Sequence, residues 1–170
     1  MSPKLDRLLL QENYGQGRQA PSWWITIGGG LEPGEQLAQA AARELWEETG
    51  IERPAASFHD RCIAERLARH CYPDRSSEHK EYYFYVVADP AQTISSSGFT
   101  PQEQEVTGRS QWWSRSQIAS SAEVFWPSNL LDLWQLARLA ALSSPDRIAP
   151  VRFKGNDYPP TSSPGTDPTS

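Results

Sequence analysis

The stretch GGGLEPGEQLAQAAARELWEETGI, residues 28–51, sets the reading of the whole chain. It opens on three glycines, where backbone can approach a ligand closely or take a positive φ without strain from a Cβ. Pro33 and Gly34 then turn the chain, and from about Gln36 the composition is helix-forming, rich in Ala, Leu, Gln and Glu until Gly50. Wound as a helix, Leu37, Ala38, Ala41, Ala42, Leu45 and Thr49 make one stripe that can pack on a core. Glu44, Glu47 and Glu48 fall together beside that stripe, at the i, i+3 and i, i+4 spacings that bring side chains together. Three carboxylates on one arc repel one another, so something cationic is expected between them.

A solvated acidic face is the ordinary explanation for such a cluster. Arg43 and Glu47 at i, i+4 would then be a surface ion pair worth on the order of a few tenths of a kcal/mol. Two features oppose it. The acids lie late in the helix, where the macrodipole disfavours negative charge. The helix also follows a glycine-rich loop, a device that brings backbone polar groups against a phosphate or an ion.

Taken together the spacing is Gly29, then Glu35, then Arg43-Glu44-Leu45, Glu47-Glu48 and Gly50-Ile51. This resembles the Nudix box, the signature of the Nudix hydrolases, with every defining position from Gly29 to Ile51 occupied. Weaker similarity, in Trp23-Trp24 before the glycines and the Glu-rich segment before Trp112-Trp113, extends the likeness to roughly Leu5–Leu142. One position departs: many members carry Pro before the glycines where this chain has Ile27, which is expected to alter the stiffness of the loop and not its chemistry.

The resemblance implies an α/β fold, a Nudix-type α/β/α sandwich with a mixed β-sheet, in which the box forms loop, helix and loop. It implies a pyrophosphohydrolase that cleaves a diphosphate linkage in a nucleoside diphosphate joined to another moiety. It also implies magnesium as cofactor, with manganese as the alternative ion. By the same resemblance Glu47 and Glu48 are metal ligands, Glu44 is a ligand or the catalytic base, and Arg43 with Glu35 braces the loop against the helix. The Gly28 carbonyl could add a ligand, and Gly29 and Gly30 would meet the substrate. The chemistry suits the residues, since magnesium prefers hard oxygen ligands and is held by a few carboxylates plus substrate phosphates.

Composition agrees with a single enzyme domain. At 170 residues one domain with one good core is expected, over residues 1–153, followed by a disordered Pro/Ser-rich tail over 154–170. A net charge of −5 and a pI near 5.2 argue against a stable complex with nucleic-acid backbone. The partner expected is a small nucleoside diphosphate derivative, and a homodimer is compatible with the sequence. No apolar run reaches membrane-spanning length or follows a basic leader, so a soluble cytoplasmic protein is expected, with no membrane partner. Cys62 and Cys71 offer no disulfide framework, and with His70 they match no zinc spacing.

Along the chain, residues 5–12 and 23–27 read as strands with a polar loop between them. Successive strand residues face opposite ways, so Trp23 and Trp24 cannot both be in one core. Either one of them lines the ligand cleft as a stacking surface, or both are ordinary packing split between two faces. Residues 58–70 are undecided between strand and helix, 73–80 read as a polar loop, and Glu81–Asp89 as the clearest strand. After a loop over 92–101, Ser114–Ile118 begins a short helix and Pro127 opens a final one with a broad apolar face. There are no internal repeats.

Glu103 and Glu105 precede Trp112-Trp113 in what reads as a polar loop. Nudix hydrolases often recruit a carboxylate from such a loop. One of the two is therefore expected in the site, Glu103 as an outer metal ligand or Glu105 as general base, with Glu105 favoured. The patterns that mark members acting on NADH, coenzyme A or ADP-ribose are absent. Two other functions share the fold: a catalytically silent nucleotide-binding or regulatory domain, and an isomerase of diphosphate substrates using a cysteine and a glutamate. The first usually shows lost box glutamates, and here they are all present.

Overall fold

The computed structural model describes residues 1–14, 20–71, 76–95, 98–143 and 150–154. The Leu8–Leu10 run lies in β1 (Arg7–Tyr14), which pairs antiparallel with β2 (Ser22–Ile25) and, on its other side, with β5 (Thr107–Ser114). A two-residue strand, β6 (Phe125–Trp126), adds to β2 in parallel, giving the order β5-β1-β2-β6. A second sheet has the order β4-β3-β7. In it β3 (Cys62–Cys71) runs antiparallel to β4 (Ser76–Phe84) and parallel to β7 (Val151–Lys154). The helices are α1 (Leu37–Thr49), α2 (Pro101–Val106), α3 (Arg115–Ser120) and α4 (Leu130–Leu142). The α/β layout with mixed pairing is the one expected, with the mixed pairing divided between two sheets.

One core joins both sheets to α3 and α4. Leu10, Trp24, Ile63, Ala64 and Trp113 pack there against Ile118, Leu130, Leu133, Trp134, Ala137 and Ala140. Trp113 is its hub, edge-on to Trp24 at 4.9 Å and to Phe125 at 5.1 Å between ring centroids. Such aromatic pairs contribute roughly 1 kcal/mol each beyond the area they bury. Leu9, Trp23, Ala38, Ala40, Ile51 and Phe58 are buried outside that cluster. Phe58, in the helical turn Ala55–Phe58 beside α1, meets Phe84 of β4 at 6.0 Å.

Several local expectations change. The undecided segment 58–70 is strand from Cys62 onward. Residues 76–80, read as loop, begin β4, and that strand ends at Phe84. As an edge strand β4 is held by its backbone ladder to β3, which needs no apolar side chains, and residues 78–80 are exposed. Glu103 and Glu105 stand on α2, not on a loop. The strand β7 was not foreseen; it carries ordered backbone to Lys154, just past the expected domain end at 153. The tail expectation for 155–170 lies outside the described residues. Among those described, no helix is long and apolar enough to cross a membrane.

Candidate active site

The helix α1 is locally well bounded. At its start the Gln36 N–H donates to Oε1 of Gln39 at 2.8 Å. At its end Gly50 takes φ 70°, a left-handed cap, and its N–H returns to the Trp46 carbonyl at 2.7 Å. Thr49, fully buried, donates its hydroxyl to the Leu45 carbonyl and accepts from the Ile51 N–H at 3.1 Å. The buried stripe holds Ala38, Ala40 and Thr49, so it includes two of the six positions the wheel picked and adds Ala40. Trp46 points away, half-exposed.

Arg43 organises the site. Its guanidinium grips Glu35 with Nε and Nη2, each at 3.0 Å. Nη1 donates to Glu44 at 2.8 Å and to Glu47 at 2.9 Å, and Nη2 also reaches the Gly30 carbonyl at 2.8 Å. The cation expected among the box carboxylates is therefore supplied in part by the helix itself, between Glu44 and Glu47. Its five contacts use the planar fork that lysine lacks. They also hold the glycine loop and Glu35 to α1, the bracing role that the resemblance implied. Glu35 leads the effects that hold the guanidinium pKa well above its usual range, and Arg43 in return keeps the Glu35 carboxyl below the usual carboxylate range.

Glu48 turns the other way, to the loop. Its Oε2 accepts from the Gly28 N–H at 2.8 Å. So the Gly28 contact that the structure provides is made by the amide and not by the carbonyl. Burial pushes the Glu48 carboxyl up to about 8, the Gly28 bond opposes this, and the charges of Glu44, Glu103 and Glu47 add to it. Burial likewise raises Glu44. The backbone of Gly29 sits directly on Glu44: a Cβ there would lie 2.5 Å from a carboxylate oxygen. A side chain at 29 would displace the Glu44 carboxylate.

Glu103 stands opposite. Its Oε2 accepts from the Thr100 N–H at 2.7 Å and from the Thr100 hydroxyl at 2.8 Å, closing the N-terminus of α2 as a capping box. Its charge is among those that raise both Glu44 and Glu48, and Glu105 does not figure among them. Glu105 is exposed. The sequence favoured Glu105, whereas the charge effects here come from Glu103; two residues along a helix turn a side chain to a different face.

Both tryptophans are enclosed. Trp24 is 0% exposed in the core beside Trp113, and Trp23 is buried at 7% outside that cluster. A base could stack on Trp24 only by opening the core. Cys62 is half-buried with its thiol 3.6 Å from the Ala64 carbonyl, and burial raises its pKa, the opposite of an activated nucleophile. The side chains of His70 and Cys71 lie outside the described residues.

A group unread in the sequence lies on β3, β4 and β6. Arg66, 1% exposed, donates to Glu81 at 2.8 Å and lies 4.5 Å over the Trp126 ring, while the Tyr83 hydroxyl donates to Glu81 at 2.7 Å. Arg66 and Glu81 lie directly opposite in the β3–β4 register, a signal available only once the strands are aligned.

A divalent ion fits the donor chemistry. Glu35, Glu44 and Glu47 share the Arg43 guanidinium, while Glu48 is raised chiefly by burial and further by the charges of Glu44, Glu103 and Glu47, which a cation would offset. Among the described residues no three acidic, imidazole or thiol groups form a ready-made cage. Magnesium does not require one, since it keeps waters and takes substrate phosphates to complete its octahedron.

Architecture and site together define an α/β protein with a loop–helix carboxylate centre. The model of the NUDIX domain matches residues 2–133, and the chain belongs to that family. It is 46% identical over 54 residues to Nudix hydrolase 19, chloroplastic, of Arabidopsis thaliana, covering 32% of this chain and 12% of that protein. It is 30% identical over 94 residues to the m7GpppN-mRNA hydrolase NUDT17 of Bos taurus, covering 52% and 30% respectively. The chain thus spans less than a third of either relative. Similarity to the nucleoside triphosphatase NudI of Enterobacter sp. (strain 638) is 26% over 119 residues, covering 70% of this chain and 74% of that one. A NUDIX hydrolase from Nitrosomonas europaea shares the fold at a TM-score of 0.50 and 21% identity, over 79% of this chain and 82% of that one.

Proposed function

We propose that this protein is a magnesium-dependent pyrophosphohydrolase that cleaves a diphosphate linkage in a nucleoside diphosphate joined to another moiety. The observation that carries the reading is the Arg43 clamp. It fixes Glu44 and Glu47 against the glycine loop, with Glu48 and Glu103 near enough for their charges to be felt. The activities for which the relatives are named, on an mRNA cap and on nucleoside triphosphates, support a nucleotide with linked phosphates.

In this reading Glu44, Glu47 and Glu48 would hold the ion, which supplies charge neutralisation and acidifies a bound water. The chain's own residues do the rest. Arg43 and Glu35 keep loop and helix in register. The Gly29–Gly30 backbone lets phosphates come close. Glu103, anchored through Oε2, offers Oε1 to take the proton as water attacks phosphorus, and the P–O bond to the leaving group breaks. The test is hydrolysis of nucleoside triphosphates, dinucleoside polyphosphates, nucleotide sugars and a cap analogue with magnesium or with EDTA, products resolved by chromatography. At least one should be cleaved at a phosphoanhydride with magnesium alone. A panel left wholly intact would reject the reading.

A further inference from the structure

We propose that Gly98 and Thr100 are positioning residues that set Glu103 against the carboxylates of α1, an inference that rests on the hydrolase reading above. Three contacts link the segment before α2 to the last turns of α1. The Ser95 N–H donates to the Thr49 carbonyl at 3.0 Å. A Cβ built on Gly50 would lie 3.3 Å from the Ser95 Cβ. Gly98 lies closer still: a Cβ there would stand 2.6 Å from the Glu47 Cα and 2.8 Å from the Glu47 carbonyl oxygen.

These last neighbours are backbone, not the movable end of a side chain. Any residue larger than glycine at 98 must push the segment off α1, because packed backbone cannot yield by that amount. Two residues on, Thr100 grips Glu103 twice through Oε2, so Oε1 is the oxygen not engaged by Thr100. Glu103 thus depends on two linked devices. Gly98 fixes how near α2 stands to Glu47, and Thr100 fixes where the Glu103 side chain points. Neither residue touches the reacting atoms.

A loss of position should behave as a loss of Glu103 itself. A misplacement of about 1 Å can cost on the order of a hundredfold, and a lost base costs roughly a hundredfold or more. We therefore expect Gly98→Ala to lower kcat about a hundredfold with KM changed less than threefold, and Glu103→Gln to do the same. The double variant should be no slower than Glu103→Gln. Thr100→Val should lower kcat and Thr100→Ser, which keeps the hydroxyl, should restore it. The same cycle read by Mn2+ titration, with free ion followed by electron paramagnetic resonance, needs no turnover. Gly98→Ala and Glu103→Gln each take the Glu103 charge from beside the carboxylates that would hold the ion, so they should weaken binding equally, and their combination no further.

Wild-type hydrolysis with effects that multiply in the double variant, or a Gly98→Ala protein as fast as wild type, would overturn the positioning role and leave the hydrolase reading standing. Intact nucleotides alongside a coupled Mn2+ cycle would overturn the hydrolase reading and support the positioning role. A wild-type protein that binds no Mn2+ would overturn both.

Discussion

Glu48 is the residue whose environment makes the sharpest demand. Replacement by Gln keeps an oxygen for the Gly28 N–H and removes the charge. The native carboxyl is carried from its ordinary 4.5 to about 8, chiefly by burial. Between those two values the unfolded chain has lost the proton and the folded protein keeps it. Stability of the metal-free protein therefore falls as pH rises across that window and levels off above it. At about 1.4 kcal/mol for each tenfold in proton affinity, the ceiling is about 5 kcal/mol. Water reaches part of the Glu48 side chain, so we expect about 2 kcal/mol to be realised. In EDTA, urea unfolding followed by tryptophan fluorescence at pH 5 and pH 9 should show wild type losing about 2 kcal/mol more than Glu48→Gln. The variant should be the more stable protein at pH 9, by roughly 6 °C in melting temperature. Parallel pH curves for the two proteins, or a variant less stable at pH 9, would refute the buried, charge-crowded environment assigned to Glu48.

Other consequences are separate. Arg66→Met removes the guanidinium from Glu81, which keeps the Tyr83 hydroxyl, and from the Trp126 face, and should cost about 3 kcal/mol in urea unfolding, with Arg66→Lys recovering only part of it. Cys62, raised by burial, should react with iodoacetamide at pH 8 many times more slowly than a free cysteine, as read by peptide mapping; rapid alkylation would revive a nucleophilic role. Glu105→Gln should run at the wild-type rate, while Glu103→Gln loses roughly a hundredfold.

The centre of the site was legible because the box folds as one local unit: loop, helix and caps are all set within residues 28–51. The Arg43–Glu47 pair was visible too, and the resemblance gave Arg43 and Glu35 a bracing role. Spacing alone makes it an i, i+4 surface pair; the folded loop adds that the same guanidinium holds Glu35, Glu44, Glu47 and the Gly30 carbonyl together. Thr100-Pro101-Gln102-Glu103 carries a capping box with Pro at the first helical position, a written helix start that was passed over as polar loop. Glu103 could have been preferred on that signal. Other features had no local trace. The strand Ser76–Phe84 is exposed at residues 78–80 and is specified by pairing with β3, and β7 by the parallel ladder from Ala64–Val151 to Leu67–Lys154. The closeness of Gly98 to Glu47 joins residues about fifty positions apart, a separation no periodicity reports.

The central claim is that the carboxylates of α1 hold a divalent ion without which hydrolysis does not occur. It is tested most directly by turnover of the best nucleotide against magnesium concentration, for wild type, Glu47→Gln and Glu48→Gln. Wild-type rate should rise from nil in EDTA to a plateau, and both variants should stay at least a hundredfold below it at saturating magnesium while remaining folded. Turnover that persists in EDTA, or either variant reaching the wild-type plateau, would contradict the claim.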